Sequence, residues 1–193
     1  MCLKLPVTFT MGFFGLFKSQ KEKEAHDMMI RGMYLYSGGM QSQAIFFCDR
    51  ALELDPTLVP ALHIKGSAMG EYGHCEIALT ILDQALHLDP DFAPSWMMKG
   101  LLLCELKRFS EAITCFNNVV ESGPYYHSRW QGFTIGPQSK KRYADALYAR
   151  ALAYFEVGNY YKSEEGYHEA LEFDPKNPLA QDLKQKLSKS QVL

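Results

Sequence analysis

From Ala25 onward, small and large apolar residues return in one arrangement every 34 residues, with a single interruption. The phrases ALELDP, ALHLDP and ALEFDP end at Pro56, Pro90 and Pro175. Pro124 continues the first spacing, and the step to Pro175 adds 17 residues to one further period. In windows opening at Ala25, Val59, Ala93 and Ala144, the fourth residues are Met28, Leu62, Trp96 and Leu147. The eighth are the small Gly32, Gly66, Gly100 and Ala151, and the eleventh are Leu35, Met69, Leu103 and Tyr154. Those three places share one face of a helix, since they are spaced as i, i+4 and i+7. A second face follows at the same spacing: Ala44, Ala78, Ala112 and Ser163, then Cys48, Leu82, Phe116 and Tyr167, then Ala51, Ala85, Val119 and Ala170.

Small residues opposite large ones let two helices approach closely, so each window predicts an antiparallel helical hairpin. Gly39, Gly73 and Gly158 stand between the two helices, where a left-handed residue closes the first of them. Lys107 takes that place in the third window. The Asp-Pro pair ends each second helix, because proline disfavours helix in the residue before it and can open the next element. No stretch alternates as a half-buried strand does, so the chain is expected to be all-α. After Asn177, Leu179, Leu183 and Leu187 form one narrow stripe among lysines, the pattern of a capping helix with a polar outer face.

Four copies of this period and of this small and large pattern make the chain similar to the tetratricopeptide repeat family over residues 25–126 and 144–177. The resemblance implies a right-handed superhelical array of four hairpins (25–58, 59–92, 93–126 and 144–177) with an insertion at 127–143 and a capping helix at 178–193. It also implies a non-catalytic scaffold that binds a polypeptide on the concave surface formed by the first helices. One subclass grips a C-terminal carboxylate there with basic residues and asparagine. The corresponding places here are Met29, Met33, Ile64, Pro94 and Met98, so that clamp is absent. The residues expected to face the groove are Met29, Met33, Tyr36, His63, Ile64, Met97, Leu101, Cys104, Tyr148, Leu152 and Phe155. Methionine adapts to many shapes, so such a strip suits an apolar or amphipathic segment, although some of these residues could instead pack between helices.

The totals narrow the alternatives. A net charge of -2 leaves no global attraction for nucleic acid or anionic lipid, so any basic surface is local. Five cysteines, without a CxxC pair, suggest a reducing, cytoplasmic setting. Neither a metal-binding spacing, an HExxH pattern nor a phosphate loop occurs, and the reading is a non-enzyme with no cofactor.

Three features stand outside the repeat pattern. The seventh residues of the windows, Arg31, Lys65, Lys99 and Arg150, are basic where the family usually has an aliphatic. Their stems can cover apolar surface while the charge meets water or an acid of the preceding repeat, such as Asp55 or Asp89; alternatively they form a stripe for an acidic ligand. The insertion joins Arg129, Trp130 and Phe133 to Lys140, Lys141 and Arg142, either as a packed loop or as a ligand contact. With the lysine-rich tail it also supplies the competing reading, a nucleic-acid-binding repeat protein. Finally, Phe13, Phe14, Leu16 and Phe17 precede a charged run within residues 1–24. They could fold back on the protein's own groove or lie on a membrane surface with Lys18, Lys21 and Lys23 near headgroups.

Overall fold

A computed structural model describes residues 19–123 and 138–190. Among them the chain is helical without any strand: α1 (Gln20–Ser37), α2 (Gln41–Leu54), α3 (Val59–Glu71), α4 (Cys75–Leu88), α5 (Ala93–Glu105), α6 (Phe109–Glu121), α7 (Gln138–Glu156), α8 (Tyr160–Phe173) and α9 (Pro178–Ser190). The pairs α1/α2, α3/α4, α5/α6 and α7/α8 are antiparallel hairpins stacked in chain order into a superhelical array, with the first helices α1, α3, α5 and α7 side by side.

Close approach within each hairpin depends on the small residue at the eighth place. A Cβ on Gly100 would lie 2.5 Å from Cε1 of Phe116, whose ring is fully buried against it. A Cβ on Gly32 would meet Sγ of Cys48 at 2.8 Å. The alanines of the second helices (Ala44, Ala51, Ala78, Ala85, Ala112 and Ala170) are all wholly buried. This is the seam the pattern of small and large residues predicts. Pro60 and Pro94 lie in the first turns of α3 and α5, where their missing N–H leaves no helical bond unmade.

Successive hairpins are tied by a ladder of polar contacts in the same period. Lys65 Nζ pairs with Asp49 Oδ1 at 2.7 Å, and Lys99 Nζ with Asp83 one repeat later. In the fourth hairpin Arg150 donates to Asn117 Oδ1 at 3.4 Å and to Glu169 Oε2 at 3.0 Å. The acid of the preceding repeat is therefore on the face of its second helix, at Asp49 and Asp83, rather than at the helix-ending Asp55 and Asp89 expected from sequence. Among the described residues no hairpin precedes α1, and the Arg31 guanidinium lies 5.9 Å from the centre of the Phe47 ring.

At the other end, Leu183 and Leu187 of α9 are buried in the fourth hairpin's core with Leu147, Ala151 and Tyr167. Leu179 lies outside the residues whose side chains are described. The last six residues of the insertion, from Gln138, are already helix, so α7 starts well before the Ala144 window. Tyr143 is buried there, its ring 4.8 Å from that of Phe173.

All four first helices end alike. The N–H groups of Met40, His74, Arg108 and Asn159 donate back five residues, to the carbonyls of Leu35, Met69, Leu103 and Tyr154. This closure requires a left-handed residue just before the donor. Gly39, Gly73 and Gly158 provide it with φ of 74°, 81° and 78°, and Lys107 adopts φ 58° in the third hairpin despite its Cβ. Lys107→Gly therefore relieves about 1 kcal/mol of backbone strain, partly offset by the freer unfolded chain. The expected result is a thermal midpoint raised by roughly 1–4 °C, within the range such a change gives in a protein of this size. A lowered midpoint in calorimetry would contradict this account of the turn.

Candidate peptide-binding groove

The side-by-side first helices make one face of the array, and its two halves differ. On α5 and α7, Met97, Cys104, Leu152 and Phe155 are partly exposed, and Leu101 is 38% exposed. Around them Met98 and Ala149 are also partly open. This half is an apolar strip with free surface. On α1 and α3, Met33, Tyr36 and His63 keep some exposure, but Met29 and Ile64 are 2% exposed. They belong to the core formed with Cys48, Ala51, Leu58 and Ala61. Tyr148 is likewise core: it packs with Leu147 and Tyr167, and its hydroxyl donates to the Asp174 carbonyl at 3.3 Å. The expectation that Met29, Ile64 and Tyr148 face a partner is thus corrected, because each fills space between helices before any surface is left.

His63 sits at the junction of the two halves. Its ring is edge-on to Phe92, 5.5 Å between centres, and Nδ1 is hydrogen-bonded with Oγ of Ser95 at 3.3 Å. Burial, helped by the positive charge of Arg142, pushes its pKa down to about 4. The imidazole is therefore neutral near pH 7.

A row of acids that the apolar pattern did not reveal edges the groove. Glu71, Glu105 and Glu156 occupy the same place in the second, third and fourth windows. Glu71 accepts from the Tyr36 hydroxyl at 2.7 Å and from the Gln41 amide. Glu105 accepts from the Cys75 thiol at 3.7 Å, and Glu156 faces Lys186 at 3.9 Å. Extending the 34-residue register to charged positions would have found them. The acid beside it raises the Tyr36 pKa further, after burial.

The described cysteines offer no activated nucleophile, since burial raises the pKa of each. Burial pushes Cys104 and Cys115 up to about 11 and Cys48 up to about 12, so all three stay thiols at neutral pH. Among the described residues no three His, Cys, Asp or Glu side chains converge as metal ligands would. Of the insertion residues, Lys141 and Arg142 are exposed on α7; Arg129, Trp130 and Phe133, and the side chain of Lys140, lie outside the described residues. So do Phe13, Phe14, Leu16 and Phe17. Three of the four seventh-place cations answer side chains of the array itself, which leaves no continuous basic stripe for an acidic ligand or for nucleic acid.

Tetratricopeptide repeat family models match residues 70–127 and 144–177, in register with these hairpins. Over those residues the chain carries tetratricopeptide repeats. No curated protein matches its sequence. Among solved structures, the Pseudomonas aeruginosa pilF protein is similar at TM-score 0.75 and 18% identity, over 90% of this chain and 72% of its own. MamA, from residue 41 to its end, of Desulfovibrio magneticus RS-1 is similar at TM-score 0.71 and 20% identity, over 91% and 88%. The first repeat domain of Spaghetti (RPAP3), solved with the HSP90 peptide SRMEEVD, is similar at TM-score 0.57 and 19% identity, over 70% and 94%. At these identities the likeness is one of fold, and in this repeat protein the groove residues must speak for themselves. Among the described residues, no helix is long and apolar enough to cross a membrane.

The neutral His63 makes stability depend on pH. Its folded pKa lies below the unfolded value, so unfolding takes up a proton between the two, and stability is complete above about pH 6.5 and is lost as pH falls towards 4. The loss is expected to reach roughly 2–3 kcal/mol, as a shift of this size implies. Thermal midpoints of the wild type and His63→Gln, compared from pH 7 to pH 4, should show the steeper fall in the wild type; parallel curves would deny His63 this role.

Proposed function

We propose that the protein is a non-catalytic scaffold that binds a partner polypeptide along the open α5–α7 half of its groove, taking an apolar or amphipathic segment. The observation that carries this reading is the partly exposed apolar strip of Met97, Leu101, Cys104, Leu152 and Phe155, because such a strip is costly to leave wet. Its shape is adaptable, since methionine and leucine side chains repack around different ligands at little cost. The acids along one edge, Glu105 and Glu156, favour a segment with Lys or Arg on the flank that meets them, which selects among apolar ligands. Hydrophobic burial supplies most of the affinity, so binding is expected to persist as salt is raised, unlike binding to phosphates. The family resemblance supports the general role, and the RPAP3 domain with its bound HSP90 peptide shows that a related fold can hold a peptide.

Met97→Glu and Leu101→Glu place a carboxylate where the ligand's apolar face would lie. An unpaired charge buried at a contact costs about 2–4 kcal/mol, so each variant is expected to weaken partner capture at least about tenfold. Helix content by circular dichroism should be unchanged, because both side chains retain access to water in the free protein. Phe46→Glu on α2, whose side chain is 59% exposed away from the first helices, serves as the control. Capture at the wild-type level by both groove variants would remove the α5–α7 face as the binding site.

A further inference from the structure

Glu71, Glu105 and Glu156 are the last residues of α3, α5 and α7, and all three are exposed. None of these helices carries a basic residue in its last turn. The helix macrodipole already makes that end negative, so an acid there is unfavourable and a base is what would stabilise it. These first helices lie side by side and run the same way, so their ends and carboxylates add into one negative edge. The array answers that edge unevenly. Glu71 holds the Tyr36 hydroxyl and the Gln41 amide, and Glu156 faces Lys186 at 3.9 Å. Glu105 accepts from the Cys75 thiol, a weak donor.

The opposite end of the open half has the other sign on its α7 side. Helix α7 begins at Gln138, before the first place of its window, and the added turns display Lys141 and Arg142 to solvent. Steps of seven residues put Lys141, Tyr148 and Phe155 on one line of the helix and Arg142, Ala149 and Glu156 on another. Leu152 lies between those lines, and Ala149, Leu152 and Phe155 are all partly open. Asp145, on the line of Leu152, accepts from the Asn177 amide at 2.8 Å. Asp91 of the α4–α5 turn is exposed, so the basic character belongs to α7 alone. From Lys141 to Glu156 the face runs from base through apolar side chains to acid, over about 22 Å at the helical rise.

We propose that the open half takes an amphipathic helix of about four turns, laid along α5 and α7, with Lys or Arg at the end beside Glu105 and Glu156 and Asp or Glu at the end beside Lys141 and Arg142. A helix keeps its apolar side chains on one face over that length. Burial of that face supplies the affinity, while the charges at its ends choose the partner and fix which way round it lies. A segment with the same charge at both ends meets repulsion at one of them. The proposal rests on the apolar reading of the groove given above and adds the distribution of charge along the partner.

Three labelled synthetic peptides of about fifteen residues, sharing one leucine stripe, serve as probes. The first has lysines in one terminal turn and glutamates in the other, the second lysines at both ends, and the third glutamates at both ends. By fluorescence anisotropy at low salt, the wild type is expected to bind the first about five- to tenfold more tightly than the others, a difference that closes at high salt. Lys141→Glu/Arg142→Glu makes both ends of the face acidic and should move the preference to the second peptide. Glu105→Lys/Glu156→Lys should move it to the third. Equal binding of the three peptides by the wild type would overturn the charge assignment and leave the apolar groove standing. A preference that stays with the first peptide in both variants would also overturn it. Failure of all three to bind would remove the groove reading and this proposal together.

Discussion

Everything in this molecule depends on how near two helices of one hairpin can come. A glycine at the eighth place of α5 lets the ring of Phe116 rest on bare backbone, with 2.5 Å left to a hypothetical Cβ. The same small residue opposite a larger one recurs under Cys48 and Leu82. A hairpin made this way is thin and has apolar surface on both flanks. It cannot bury that surface alone, so each hairpin requires the next, and the period of the sequence becomes the period of the fold. The end of the array then needs a different element, and α9 meets that need with Leu183 and Leu187 inward.

Stacking by apolar contact alone would leave neighbouring hairpins free to slide. The seventh-place cations limit this. Lys65 and Lys99 reach back to Asp49 and Asp83 at corresponding places, and Arg150 reaches Asn117 at the third such place. Surface ion pairs contribute little stability, on the order of 0–1 kcal/mol each. Their value lies in register: a displaced hairpin would face a cation with no acid opposite. Long stems lying over apolar surface, such as Lys99 beside Trp96 at 5.5 Å, add packing to the same contact.

Binding character then follows from what the stacking leaves over. On α5 and α7 the places facing outward from the hairpins hold methionine, leucine, cysteine and phenylalanine that no neighbour covers fully. On α1 and α3, Met33, Tyr36 and His63 keep part of their surface, while Met29 and Ile64 are closed. The more open half lies on α5 and α7, and neutral His63, hydrogen-bonded with Ser95 of α5, stands where the two halves meet.

The sequence by itself determined the hairpins, their number, their turns and the cap, because those follow from spacings of a few residues repeated at 34. Even the turn at Lys107, where the glycine signal failed, follows the period and takes the same left-handed form. Burial at single positions was decided only in three dimensions. Met29 and Tyr148 share the window place of the partly open Met97, and Ile64 that of the partly open Met98, but their exposure depends on residues distant in the chain: Cys48, Leu58, Tyr167 and Asp174. The partners of Lys65 and Lys99 were similarly hidden, since acids at two places per repeat were candidates and only the packing of α3 on α2, and of α5 on α4, selects Asp49 and Asp83. Local periodicity specifies which face of a helix turns inward; the neighbours that long-range stacking brings against the other face decide how much of it remains for function.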